Sequence, residues 1–318
     1  MNKLLVGLLI AGSITLVGGG AIMLTTLPSF KEKSSMDFVT NEHIIEESFE
    51  NINIDVETAK VNIKQAEDGV NKVVCIEKED CKHTVNVQDN SLCIAIKDER
   101  EWHQKLFAFE IGQTEVNIYL NSVSYSNLDI KMDTGGLTVD SGFTFSKIDA
   151  QNDTGSIVIN SNVTGEVKCV CATGSIKLEN MTANSVDLQN DTGFITLEKV
   201  NIAEGITCEN DTGPIKLTDV NCKTLNVSND TGTIKLTNTI VEQNIIAKNS
   251  TGGIKLEKVD ASSLNLSCST GSITGTILTP KIFSCTSSTG KVTVPTSTTG
   301  GPCVATTSTG TINLSIAA

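Results

Sequence analysis

The sequence has 318 residues, a formal net charge of −13 and only 4% aromatic residues. This acidic balance excludes nucleic-acid binding, which needs a positive surface to face the phosphates. Gly is common at 25 residues and Pro is rare at 5, a mixture that favours short strands and tight turns over helices.

The N-terminal segment contains an uncharged run, residues 4–27, between Lys3 and Pro28. A helix of about 20 apolar residues spans the hydrocarbon core of a bilayer. We therefore predict a transmembrane anchor within residues 1–30 and a spacer at residues 31–44. A cleaved signal peptide is the alternative, because "GGGA" at residues 18–21 resembles a small-residue cleavage site.

Residues 45–125 alternate apolar and polar positions without following a repeat, as in "NINIDVETAKVNIKQ" at 51–65 and "TEVNIYL" at 114–120. Alternation of this kind predicts half-buried strands. We expect this region to form a β-rich cap over the open edge of the region that follows. This region contains Cys75, Cys81 and Cys93, so the sequence allows a disulfide between two of them.

Residues 126–318 carry a repeat that ends in Thr-Gly. The ten repeat glycines are separated by 19 or 20 residues and stand at 135, 155, 174, 193, 213, 232, 252, 271, 290 and 310. Five copies read "DTG", the active-site tripeptide of aspartic proteases, but four read "STG" and one "ATG". A protease needs two such loops brought face to face. The short, tolerant period instead predicts a solenoid.

Apolar residues occupy fixed columns relative to each repeat glycine. Two residues after it stand residues such as Ile195, Ile215 and Ile234, and four residues after it stand residues such as Leu217 and Leu236. The columns seven and five residues before it are also apolar. Stacked parallel strands would bury these columns in one core. The sequence thus predicts an all-β parallel solenoid, or β-helix, of about ten rungs.

The Thr-Gly corner is predicted to be structural. Gly marks a tight turn where a Cβ would be costly, and Asn in a stacked column can bond from rung to rung through its amide. The predicted turn residues are Gly155, Gly174, Gly193, Gly213, Gly232 and Gly252. The predicted ladder residues are Asn152, Asn190, Asn210, Asn229 and Asn249.

A cation site is the alternative reading of the same corner. Asp191, Asp211 and Asp230 share one column in three successive rungs, and Ca²⁺ would relieve the repulsion between their carboxylates. The lysine column three residues after the glycine could do the same. Otherwise we expect no cofactor.

The residue inventory argues against catalysis by the solenoid. His43, His83, His103 and Arg100 all precede it, and beyond Tyr125 the sequence has no His, Arg, Trp or Tyr. A polysaccharide-cleaving β-helix would need such groups converging on a groove. We therefore expect no enzyme. The solenoid cysteines fall in apolar or corner columns and are expected to be free thiols.

The whole pattern resembles the DUF4097 "putative adhesin" family, which is related to head-GIN-type adhesin domains. The residues that carry the resemblance are "NINIDVETAKVNIKQAEDG" (51–69), "HTVNVQDNSLCIAI" (83–96), "VNIYLNSVSYSNLDIKMDTGGLTV" (116–139) and "TSTGTINLSI" (307–316). The resemblance implies a β-solenoid that is membrane-anchored and faces outside, with no catalytic residues. Fold transfers by resemblance better than function does.

Together these features predict a single-pass cell-membrane protein with an extracellular solenoid that acts as an adhesin or surface scaffold. Its partner would be an unidentified protein or surface ligand. An envelope-stress sensor that acts through residues 4–27 and a membrane regulator is the alternative function.

Overall fold

The structure, a computed structural model, describes residues 38–79, 81–98 and 114–317. These residues form twenty strands and no helix, so this part of the chain contains no helix that could cross a membrane. The predicted anchor at residues 4–27 lies outside the described residues.

The strands of the N-terminal region are β1 (Phe38–Ile44), β2 (Asn51–Gln65), β3 (Lys72–Lys78), β4 (Cys81–Gln88), β5 (Ser91–Asp98) and β6 (Glu115–Leu120). Those of the repeat region are β7 (Ser124–Val139), β8 (Thr144–Ile159), β9 (Asn162–Val163), β10 (Glu166–Ala183), β11 (Ser185–Ile202), β12 (Gly205–Thr212), β13 (Ile215–Thr231), β14 (Ile234–Thr251), β15 (Ile254–Thr270), β16 (Ile273–Ile277), β17 (Ile282–Thr289), β18 (Val292–Thr293), β19 (Pro302–Thr309) and β20 (Ile312–Ile316).

Successive rungs pair in parallel with like residues opposite one another, which confirms the predicted solenoid. Ile195 lies opposite Ile215, and Ile215 lies opposite Ile234. All three side chains are fully buried. They belong to one hydrophobic cluster that runs from Ile45 to Leu314. Each rung alone could not bury its apolar side chains, so the stack is the stable unit.

Each full rung has three strand segments. The third segment begins after a residue in the left-handed conformation, and these residues are Asn180, Lys199, Asp219, Asn238 and Lys258. A further pair of buried columns follows them, for example Val200 and Ile202. Their alternation was visible in the sequence, but an Asn, Asp or Lys corner is a weaker signal than Gly.

The stack begins earlier than the Thr-Gly repeat. Strand β2 pairs in register with β7, and Ala59 occupies the corner position opposite Gly135. On its other side, β2 pairs with β5 and β6. Antiparallel strands then cover this end, because β4 pairs with β5 and β3 pairs with β6. The cap thus closes the parallel edge that would otherwise be open.

The last rungs do not stack in the order of the chain. Strand β19 lies between β15 and β17, and β20 lies between β16 and β18. The final repeat is therefore inserted before its predecessor, which becomes the outermost rung. Sequence columns cannot reveal this exchange, because Cys303 fits opposite Leu264 and Phe283 alike.

Candidate functional site

The repeat glycines form a continuous corner along the solenoid. At the six predicted turn glycines φ lies between +125° and +148°, a range that side chains rarely adopt. A Cβ added at any of them would lie only 1.5–2.1 Å from the carbonyl oxygen of the corner glycine in the preceding rung. Conformation and close stacking both require glycine here.

From Asn152 onward, the residue three positions before each repeat glycine donates a hydrogen bond to the preceding rung of the stack, but not as an amide-to-amide ladder. Asn152 Nδ2 donates to Gly135 O at 3.0 Å, and Asn249 Nδ2 donates to Gly232 O at 2.8 Å. Cys268 Sγ makes the equivalent bond to Gly252 O at 2.9 Å. The glycine conformation presents its carbonyl to this side chain, so the backbone is the acceptor. This explains why Asn, Cys, Ser and Thr can alternate in the column.

The Asp column lies on the outside of the same corner. Asp191, Asp211 and Asp230 are exposed, and Asp230 accepts a hydrogen bond from Ser250 Oγ at 3.2 Å. In the ion pairs of the described residues, lysines of the lysine column contact glutamates and not these aspartates. For example, Lys177 Nζ lies 2.6 Å from Glu179 Oε2 on its own rung. The carboxylates of the column thus face solvent side by side.

A shallow groove of about 350 Å³ lies on the outer face where the cap meets the first rungs. Its charged lining consists of Asp55, Asp129, Asp149 and Lys131. Asp129 and Asp149 lie directly opposite each other on adjacent strands. Burial, followed by the charge of Asp149, raises the pKa of Asp129, and Lys147 opposes this shift. The groove is acidic and suits a positively charged or hydrogen-bonding ligand.

A group of polar side chains is buried inside the cap. Cys75 and Glu77 on β3 and His83 on β4 are each less than 5% exposed. In the described ranges this is the one group of three or more Cys, His, Asp or Glu side chains whose ligand atoms all lie within 4.8 Å of one another. His83 Nδ1 lies 2.6 Å from Glu77 Oε2.

Sequence reasoning missed both the groove and the buried group. The groove arises from pairing between distant strands, which spacing does not reveal. The buried group had a local signal, since "CIEKEDCKH" at residues 75–83 concentrates Cys, Glu and His. That signal was weak because it lacks the Cys-x-x-Cys spacing of zinc sites.

Residues 49–315 match the family model described as Toastrack DUF4097. No curated protein matches the sequence significantly.

Among solved structures, the chain is similar to a "putative adhesin" from Parabacteroides distasonis at 12% identity and a TM-score of 0.48, covering 88% of this chain and 98% of that one. It is also similar to a "putative adhesin" from Bacteroides fragilis at 12% identity and a TM-score of 0.40, covering 89% and 98%.

Proposed function

The chain belongs to the Toastrack DUF4097 family, and we propose that it is a non-enzymatic cell-envelope protein whose solenoid serves as an adhesin or surface scaffold. The observation that carries this proposal is the in-register stack itself. Like residues lie opposite one another from rung to rung, and one apolar cluster runs through the stack. Such a stack is stiff and exposes a long regular face.

The chemistry of the exposed face supports a binding role over catalysis. Beyond Tyr125 the chain has no His or Arg, and its Asp, Glu and Lys side chains are distributed along the rungs. Exposed ion pairs of the solenoid lie within a rung, as for Lys177 with Glu179, or join neighbouring rungs, as for Lys223 with Glu204. General acid–base catalysis needs instead a few groups converging on one substrate atom.

The acidic groove is the binding surface that we assign to this function. It combines concavity with three carboxylates and one ammonium group. Its negative field favours cationic segments of a protein or a polyhydroxylated surface ligand, and it repels nucleic acid.

Attachment to the membrane is part of the proposal. Residues 4–27 would anchor the chain with the solenoid outside the cell, so that the groove is accessible to ligands. The sensor alternative differs in its partner, because a membrane regulator would then associate through residues 4–27.

The test is retention of cells that express the full-length chain on immobilised mucin, collagen and fibronectin. We expect retention above that of cells without the protein, and a loss of retention with Asp129→Lys in the groove. Asp211→Lys is the matched control, since it makes the same charge change at an exposed corner away from the groove. Equal retention of cells with and without the protein on all three coatings would contradict adhesion.

The sensor alternative predicts a different result. A membrane regulator would co-purify with the full-length chain in detergent, and replacement of residues 4–27 by an unrelated transmembrane helix would abolish the association.

A further inference from the structure

The buried group in the cap has the donor atoms of a metal site and no role in the proposed adhesion. Cys75 and Glu77 stand two residues apart, so they lie on the same face of β3. The hairpin between β3 and β4 returns the chain so that His83 meets them. The thiol, carboxylate and imidazole groups come within 4.8 Å of one another.

Glu77 is held in place by three contacts. Its Oε2 accepts the backbone N–H of His83 at 2.6 Å and lies 2.6 Å from His83 Nδ1. Its Oε1 accepts a hydrogen bond from Asn41 Nδ2 at 2.6 Å. A carboxylate fixed in this way orients the imidazole and selects its tautomer, with the proton on Nδ1.

The other ring nitrogen of His83 lacks a partner. Nε2 is buried and makes no hydrogen bond, and the whole His83 side chain is removed from solvent. Glu77 Oε2 lies at Nδ1, on the opposite side of the ring from Nε2, so an ion that binds both Glu77 and His83 takes the place of the Nδ1 proton. That proton passes to Nε2, which gives the other neutral tautomer.

Cys75 completes the donor set. It is a free thiol and fully buried. A metal ion that binds the sulfur displaces the thiol proton.

The donor types select the ion. A sulfur, an imidazole nitrogen and a carboxylate oxygen suit Zn²⁺ and neighbouring transition ions, whereas Ca²⁺ and Mg²⁺ prefer oxygen ligands alone.

We propose that Cys75, Glu77 and His83 bind one transition-metal ion, with Zn²⁺ as the physiological class, and that this ion fastens the hairpin of β3 and β4 at the closed end of the solenoid. The ion replaces the thiol proton, which is released to solvent. Its role is structural, because a site this deeply buried gives a substrate no access.

Metal content of the full-length protein, purified without chelator and incubated with Zn²⁺ before gel filtration, tests the proposal. We expect about one zinc ion per chain, as in a mononuclear structural site. Replacement of zinc by Co²⁺ should produce a thiolate-to-cobalt charge-transfer band. Cys75→Ser should abolish that band and His83→Gln should weaken metal retention. Cys93→Ser is the matched control, because Cys93 lies in the same cap outside the cluster, and it should change neither.

Wild-type protein that retains no zinc and gives no cobalt band would overturn the proposal, as would full zinc retention by Cys75→Ser. If the variants do not fold, the wild type decides. Removal of zinc with a chelator should lower the melting temperature and zinc should restore it, and a melting temperature indifferent to both would overturn the proposal. None of these outcomes depends on whether the protein mediates adhesion.

Discussion

Substitution of a corner glycine tests how the rungs fit together. In Gly252→Ala the new Cβ would lie 1.7 Å from Gly232 O. Non-bonded contact needs about 3.0 Å, so the two rungs would have to separate by about 1.3 Å at this corner. Two of the bonds that cross this junction are made by Gly232 itself: Gly232 N donates to Thr251 O at 2.9 Å, and Asn249 Nδ2 donates to Gly232 O at 2.8 Å. Neither survives that separation.

The expected loss follows from these contacts. Two hydrogen bonds contribute about 1 kcal/mol each, and an alanine at a φ of 133° costs a further ~1–3 kcal/mol. Gly252→Ala should therefore lower the free energy of unfolding by about 3–5 kcal/mol.

Gly69→Ala is the matched control, because Gly69 also has a positive φ of 72° but no atom within 4 Å of the added Cβ. The free energy of unfolding of Gly69→Ala should fall only by the conformational cost of alanine at this φ, about 1–2 kcal/mol. Urea unfolding followed by circular dichroism measures both. If the two variants differ by less than about 0.5 kcal/mol, well inside the predicted hydrogen-bond loss, close stacking is not what requires glycine.

Three further substitutions probe the core, the corner and the thiols. Ile215→Asp places a charge at a fully buried position and should cost several kcal/mol, whereas Lys216→Asp on the exposed face should change thermal stability by about 0.5 kcal/mol or less. Asn229→Ala leaves Gly213 O without its side-chain donor and should cost about 1–3 kcal/mol in urea unfolding, with Asn229→Ser recovering part of the loss. Burial raises the pKa of the Cys222 thiol from 9.0 to about 12. The unfolded thiol therefore ionises first as pH rises, and stability falls between these two values. Between about pH 8 and about pH 10 the unfolding free energy of Cys222→Ala should fall by about 1.4 kcal/mol less than that of the wild type, and an equal fall would contradict this origin.

The sequence predicted the fold where every rung repeats the same physical constraint. A buried column such as Ile195, Ile215 and Ile234 is evident because each rung must cover the next. The rung made by β2 was harder to recognise, since Ala59 replaces glycine at its corner. The insertion of β19 between β15 and β17 could not be predicted, because equivalent columns allow either order.

The candidate sites were less predictable than the fold. The groove depends on distant pairings such as Asn53 with Cys93, and the cap does not repeat. The ladder asparagines were found by position, but their acceptor was not, because a backbone carbonyl has no signature in the sequence. The contact between His83 and Glu77 needs the turn of the hairpin to form.

The measurement that tests the central proposal most directly is the topology of the full-length chain. A tag joined through a protease-cleavable linker after residue 318 is exposed whatever the stability of the solenoid. Intact cells are treated with protease, and a cytoplasmic protein of the same cells is followed as the control for lysis. The account predicts loss of the tag while the chain stays in the membrane fraction and the cytoplasmic control stays intact. A tag that is protected in intact cells and lost only after lysis would contradict a surface-exposed solenoid.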